Sequence, residues 1–282
     1  MAKRKSSQHP STPAPLTFLK LGGSLITDKT RPSTPRLDVL ARLANEIAAA
    51  HAEDSQLRII LGHGSGSFGH IPAKKYGTRA GVATPKEWFG FTEVWWQASA
   101  LNRLVIESLH NAEIPAIPFP VSASAISAEG QVATWDISPM IAALDAGLLP
   151  VVFGDVVFDK SRGGTILSTE DIFGYIALEL EPQRILLAGL EEGVFSDYPE
   201  RLHVIPEITP QILEQVAPAL SGSAATDVTG GMASKVHQML ALVSATPSII
   251  VSIFSGEKEG NVKSALLGAT FGSKIHNNIA AQ

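Results

Sequence analysis

The chain alternates short, uninterrupted apolar runs with longer stretches of helical periodicity, and this alternation restricts its fold more than any other feature. Runs rich in Val, Ile and Leu occupy residues 16–21, 57–61, 114–118, 149–153, 184–188 and 248–254. Helical patterns fall between them, at 37–51, 87–111, 139–146, 169–180, 210–220 and 231–244. A strand that is apolar on both faces must be covered on both faces, which is the condition of a parallel strand between two helical layers. The expectation is an α/β fold, a mainly parallel central sheet sandwiched by helices. Ser138, Pro139 and Gly147 stand in the order of an N-cap, a first-turn proline and a C-terminal glycine. Two Val/Phe runs flank Gly154-Asp155, and residues 159–164 supply a further turn, so a local antiparallel excursion is expected there.

At 282 residues the chain suits one large domain or two modest ones, at roughly 100–200 residues each. With 45% hydrophobic and 17% charged residues, a largely disordered chain is excluded. Cysteine is absent, which removes disulfides, thiolate metal sites, iron–sulfur clusters and thiol nucleophiles together. Residues 1–15 hold Lys3, Arg4 and Lys5, no acid, three prolines and four Ser/Thr, the composition of a disordered tail. Without those three cations the net charge moves from −5 to about −8, and an acidic body argues against nucleic acid as a partner. No apolar h-region follows the basic start, and no run nears the roughly 18 apolar residues of a membrane helix. A cytoplasmic protein without a membrane partner is expected.

Ligands of open α/β sheets collect beyond the carboxyl ends of strands. Two glycine-dense loops stand at such ends. Lys20-Leu21-Gly22-Gly23-Ser24 closes the first run, with Lys29 beyond it, and Gly62-His63-Gly64-Ser65-Gly66-Ser67-Phe68-Gly69-His70 follows the second. Glycine lets a backbone approach a ligand closely and turn successive N–H groups onto phosphate oxygens. One such loop is equally well a tight turn; two at strand ends, one flanked by lysines, favour phosphate binding. Neither fits the Walker loop or the dinucleotide fingerprint, and the helix after the second loop is expected to start late. A third cluster, Asp227-Val228-Thr229-Gly230-Gly231-Met232-Ala233-Ser234-Lys235, opens a helix whose free N–H groups and dipole favour an anion. Lys235, about one turn inside, can reach the same charge. Ser168-Thr169-Glu170-Asp171 stands at the mouth of another helix, where a Ser-to-acid start also reads as an N-cap.

These four elements in this order resemble the amino acid kinase family, which phosphorylates carboxylates, carbamate and phosphates with ATP. The resemblance runs from about Leu16 to the C-terminus. Gly66-Ser67-Phe68-Gly69-His70, with Lys20-x-Gly-Gly-Ser and Lys29, is similar to the branch that converts isopentenyl phosphate to isopentenyl diphosphate, with fosfomycin kinases close by. The resemblance implies that Lys20 and Lys29 hold the transferring phosphoryl group and that Gly22, Gly23 and Ser24 donate to the ATP phosphates. Gly64, Ser65 and Gly66 would lie between donor and acceptor phosphates, His70 would hydrogen-bond the acceptor phosphate, and Gly154 and Asp155 would border the acceptor. Asp171 would orient the lysines or the nucleotide, and Gly230, Gly231 and Lys235 would contact ATP from the other side. A two-lobe division is implied, with residues 16–180 for the acceptor and 181–282 for ATP. Mg²⁺ would arrive on the nucleotide, held by phosphate oxygens and water with no dedicated protein ligand. A homodimer is the usual assembly of the branch.

The residue types suit that chemistry. Phosphoryl transfer rests on positioning and charge neutralisation, which lysines and backbone amides supply. A phosphate acceptor is already ionised near neutral pH, so His70 is a donor that fixes the acceptor and no general base is required. One stretch departs from the family. Where many members carry Thr-Asp-Val-x-Gly-Val-Tyr, this chain reads Gly189-Leu190-Glu191-Glu192-Gly193-Val194-Phe195, so those residues are not counted in the site. The segment from Trp88 to Trp96 holds five of the 18 Trp, Tyr and Phe residues, and Trp88, Phe89 and Phe91 are candidates to wall an apolar acceptor tail. As a helix it is also a candidate for core or dimer contact. Two other functions fit the residues: a kinase for another small phosphate or phosphonate, of the fosfomycin type, and a non-catalytic nucleotide binder on the same fold.

Overall fold

The computed structural model describes residues 15–197, 199–212 and 231–277. Strand β1 (Leu16–Leu21) is buried at all six positions, Lys20 included, because it pairs in parallel with β2 (Arg58–His63) on one side and β9 (Arg184–Gly189) on the other. Between β1 and β9 the chain forms α1 (Gly23–Ile26), α2 (Leu37–Glu53), β2, α3 (Gly66–Tyr76), α4 (Pro85–Asn111), β3 (Ala116–Pro118) and α5 (Val121–Ser124). Then come β4 (Ala125–Ala128), β5 (Gln131–Trp135), α6 (Ser138–Asp145), β6 (Leu149–Phe153), β7 (Asp155–Asp159), β8 (Gly163–Leu167) and α7 (Thr169–Leu180). After β9 follow β10 (Glu207–Ile208), α8 (Gly231–Ala245), β11 (Ile250–Ser255), α9 (Asn261–Leu266) and β12 (Ser273–Ile275).

The eight-stranded sheet runs β10-β12-β11-β9-β1-β2-β6-β3, and its pairs are parallel except β11 with β12. Alternation along β1 serves two cores. Leu16 and Phe18 join Ile172, Phe173 and Val236 of α7 and α8 on one face, while Leu19 and Leu21 join Leu43, Leu101 and Val262 of α2, α4 and α9 on the other. The α/β sandwich expected from the uninterrupted runs is the observed architecture.

The antiparallel excursion is the β7–β8 hairpin, part of a second sheet ordered β5-β4-β7-β8. Gly154 is the single residue between β6 in one sheet and β7 in the other. The β4–β5 hairpin was not anticipated; it turns on Glu129 and Gly130, both at positive φ (53° and 76°), a pairing that two-residue hairpins need. The helix after the second glycine loop does not start late. It begins inside the loop, because Gly66 at φ 49° lets the chain turn directly out of β2. Ser138 lies within α6 and is not its cap; Asp136 accepts from the Ser138 N–H and hydroxyl at 2.9 and 2.6 Å. Of the helix expected at 210–220, residues 213–220 lie outside the described residues. Among the described residues no helix is long and apolar enough to cross a membrane.

Candidate active site

The chain leaves β1 toward β2 on one side, whereas β9 leads toward β11 on the other, so the β1–β9 seam is a topological switch point. A cavity opens there, at the carboxyl ends of β1, β2, β6 and β9. Lys20, Gly22, Gly23, Ser24 and Lys29 line it from the first loop, and Gly64, Ser65, Gly66 and His70 from the second. Gly154 joins from the end of β6, and Lys235 from α8. Lys20 and Lys235, 215 places apart in the chain, thus face one space. Three of the expected site residues stand elsewhere: Asp155 and Asp171 do not line the cavity, and Gly231 opens α8 just outside its lining. Gly230 lies outside the described residues.

Lys20 poses the main energetic problem, since an ammonium only 6% exposed in a central strand is costly without a partner. Glu170 supplies it. The carboxylate, 4% exposed, forms an ion pair with Lys20 inside the cavity lining. Burial alone would raise the Glu170 carboxyl, but Lys20 and then Lys235 hold it below the usual carboxylate range, so it is ionised at neutral pH. The acid thus feels cations from both halves of the chain.

Asp171, one residue on, faces another way. It closes a capping box on α7, accepting from the Ser168 N–H and hydroxyl at 2.7 Å each while its own N–H donates to Ser168 Oγ at 3.1 Å. Glu170 was not singled out from the sequence, although a signal was present. Ser168-x-x-Asp171 has capping-box spacing, which commits Asp171 to the helix end and leaves Glu170 as the acid available to the cavity.

The glycine loops pack against each other. A Cβ on Gly23 would stand 2.5 Å from the Gly66 nitrogen, so the first loop can cross the second only where neither carries a side chain. Thr27 fastens the crossing: its hydroxyl donates to the Gly23 carbonyl at 2.7 Å and accepts from Ser67 N–H at 2.9 Å. His63, inside the second loop, is fully buried and stacks on Phe153, with ring nitrogens 3.2 Å from the Gly64 carbonyl and from Asn102 Oδ1. Burial pushes its imidazole down to about 4, so it is a neutral packing group. Asp155 is buried beneath Gly154, where its carboxylate accepts from Ser122 Oγ at 2.5 Å and Val156 N–H at 2.8 Å. Burial pushes Asp155 up to about 6 against those hydrogen bonds.

The stretch set aside for its departure from the family pattern contributes to the cavity after all: Gly189, Leu190 and Glu191 line it, beside Leu187, Met232 and Ile253. Their apolar surface lies at the end formed by β9, β11 and α8, away from His70. Nothing in the residue types of 189–191 announces a site; their position follows from β9 ending at the switch point.

The amino acid kinase family model matches residues 15–252. The chain belongs to the amino acid kinase family. Within this family it is 34% identical over 269 residues to an isopentenyl phosphate kinase of Methanocaldococcus jannaschii, an alignment spanning 92% of this chain and 98% of that protein. It is 35% identical over 252 residues to the isopentenyl phosphate kinase of Haloferax volcanii, covering 88% and 98% of the two chains. Among solved structures, one of isopentenyl phosphate kinase superposes with a TM-score of 0.77 at 28% identity, covering 92% of this chain and all of the other. For a member of this family the cavity is well equipped for phosphates and poorly equipped to cage a cation. Among the described residues no three His, Cys, Asp or Glu side chains gather as a metal site, and Glu170 is already engaged by Lys20.

Proposed function

We propose that the protein transfers the γ-phosphoryl group of ATP to isopentenyl phosphate, releasing isopentenyl diphosphate and ADP. The observation that carries this reading is the convergence of Lys20, Lys29, Lys235 and His70 on one cavity framed by two glycine loops. Extensive likeness to isopentenyl phosphate kinases supports the choice of acceptor. Two anionic substrates repel each other, and the three lysines with the backbone amides of residues 23, 24, 65 and 66 offset that repulsion. The expected Gly22 donor and that of Gly64 are instead committed to the Ala188 and Leu21 carbonyls at 2.8 and 3.0 Å. An oxygen of the acceptor phosphate attacks the γ-phosphorus in line as the bond to the β–γ bridging oxygen breaks. No proton need leave the acceptor, so His70 serves by donating to its phosphate and aiming the attacking oxygen. Magnesium enters as part of the nucleotide substrate, coordinated by phosphate oxygens and water.

The apolar end at Leu187, Leu190, Met232 and Ile253 suits the nucleoside, giving the C-terminal half to ATP and leaving the end near Gly154, Ile166 and His70 to the acceptor. Ile166 also packs on a buried cluster of Phe91, Val94 and Val156, a continuous apolar path for an isopentenyl tail. Phe91 belongs to that path, whereas Phe89 is 62% exposed. With Trp95 and Trp96, also exposed, Phe89 makes the outer face of α4 our candidate contact for a homodimer. An assay coupling ADP release to added isopentenyl phosphate tests the function. Turnover is expected; inactivity across isopentenyl, dimethylallyl and small alkyl phosphates would overturn it.

A further inference from the structure

Asp171 does more than cap its helix. Its second carboxylate oxygen, Oδ1, accepts from Gln238 Nε2 at 2.6 Å, across the boundary between α7 and α8. Its Oδ2 also meets Arg79 Nη2 at 3.3 Å. Gln238 and Lys235 lie three residues apart on α8, which puts them on one face of the helix. The same Asp171 is adjacent to Glu170, the carboxylate paired with Lys20.

Apolar packing alone leaves the placement of α8 underdetermined. Val236, Met239, Leu240, Leu242 and Val243 are buried along the helix, with Met239 and Leu242 one turn on from Lys235 and Gln238. Such contacts fix how deeply a helix sits but tolerate rotation and slippage better than a short directional bond to a charged acceptor does. The bond from Gln238 supplies that direction one turn from Lys235.

We infer that Gln238 is a positioning residue for ATP: held by Asp171, it fixes the rotation of α8 and so the place of the Lys235 ammonium in the cavity. This inference rests on the reading of Lys235 as a nucleotide contact. Gln238 touches no substrate, and its effect passes through the lysine.

The test uses the full chain and three variants, Gln238→Ala, Gln238→Glu and Gln238→Lys, each checked for an unchanged far-UV spectrum and a thermal midpoint near wild type. Steady-state kinetics give kcat and both KM values, and calorimetry gives ATP affinity without an acceptor. Gln238→Ala should lower kcat/KM for ATP about tenfold, with KM for isopentenyl phosphate within about twofold. Gln238→Glu, a comparable helix former that repels Asp171, should fall below the alanine variant, whereas Gln238→Lys, which keeps a donor, should remain within about threefold of wild type. A purely structural role would not order the variants by charge. Wild-type behaviour of Gln238→Ala, or an equal loss in all three, overturns the inference. An inactive wild type would instead defeat the proposed reaction, and ATP affinity across the same variants would still decide the role of Gln238.

Discussion

Replacing Glu170 by Gln removes a buried carboxylate that neutralises Lys20 while preserving its size. Both partners are almost fully buried, with side-chain exposures of 8% and 4% for Lys20 and Glu170. Stripping one charge from a buried pair of this kind costs about 3–5 kcal/mol. At roughly 2–4 °C per kcal/mol for a chain of this size, the thermal midpoint of the free protein should fall on the order of 10 °C. ATP changes the balance. Its phosphates bring negative charge to the same lysine, so part of the lost compensation returns on binding. Scanning fluorimetry with and without MgATP should therefore show a larger nucleotide-induced shift in Glu170→Gln than in wild type, although kcat falls at least tenfold as Lys20 loses its fixed place. The pH dependence has a definite sign. The native Glu170 carboxyl is held below its usual 4.5, so its contribution is complete above that value and drains away as pH falls through the lowered native value. The wild-type advantage over Glu170→Gln should accordingly shrink below about pH 4.5. Equal destabilisation with and without nucleotide, or none at all, would refute the idea that this acid compensates a phosphate-binding lysine.

His70→Ala should lower kcat at least tenfold, about 1.4 kcal/mol, and leave ATP affinity by calorimetry nearly unchanged; a large loss of ATP binding would assign His70 to the wrong substrate. Phe91→Leu should raise KM for isopentenyl phosphate severalfold without moving KM for ATP, since Phe91 is buried against the residues that continue the cavity at Ile166. Phe89→Ala, at an exposed position, should leave both constants alone, and the reverse pattern would put the tail on another path. His63 should stay neutral in NMR titrations down to about pH 5, because burial lowers it to about 4. In the unfolded chain it titrates near 6.5, so this site's contribution is present above that pH and weakens below it; a native midpoint near 6.5 would show that His63 is solvated.

What the sequence made legible, and what it hid, divides along one physical line. Parallel strands covered on both faces must be apolar throughout, so β1, β6 and the other inner strands are visible as runs with nearly correct ends. Glycine loops are visible because their crossing excludes side chains, and that requirement is written in Gly23 and Gly66 themselves. The choice between Glu170 and Asp171 is different in kind. Both are acids at one helix mouth, and adjacent residues point about 100° apart around a helix axis. Which of them meets Lys20 depends on how α7 lies across β1, a fact of tertiary packing that a resemblance in local pattern does not carry. Residues 189–191 were set aside for a similar reason: their types depart from the family pattern, while their place in the cavity comes from the strand they end. Side chains whose role is set by their own backbone can be read in sequence; those whose role is set by a neighbour's approach cannot. Lys20 belongs to both groups. A lysine in a fully buried, largely apolar central strand signals that a partner must exist, and only the packing of α7 says that Glu170 is one.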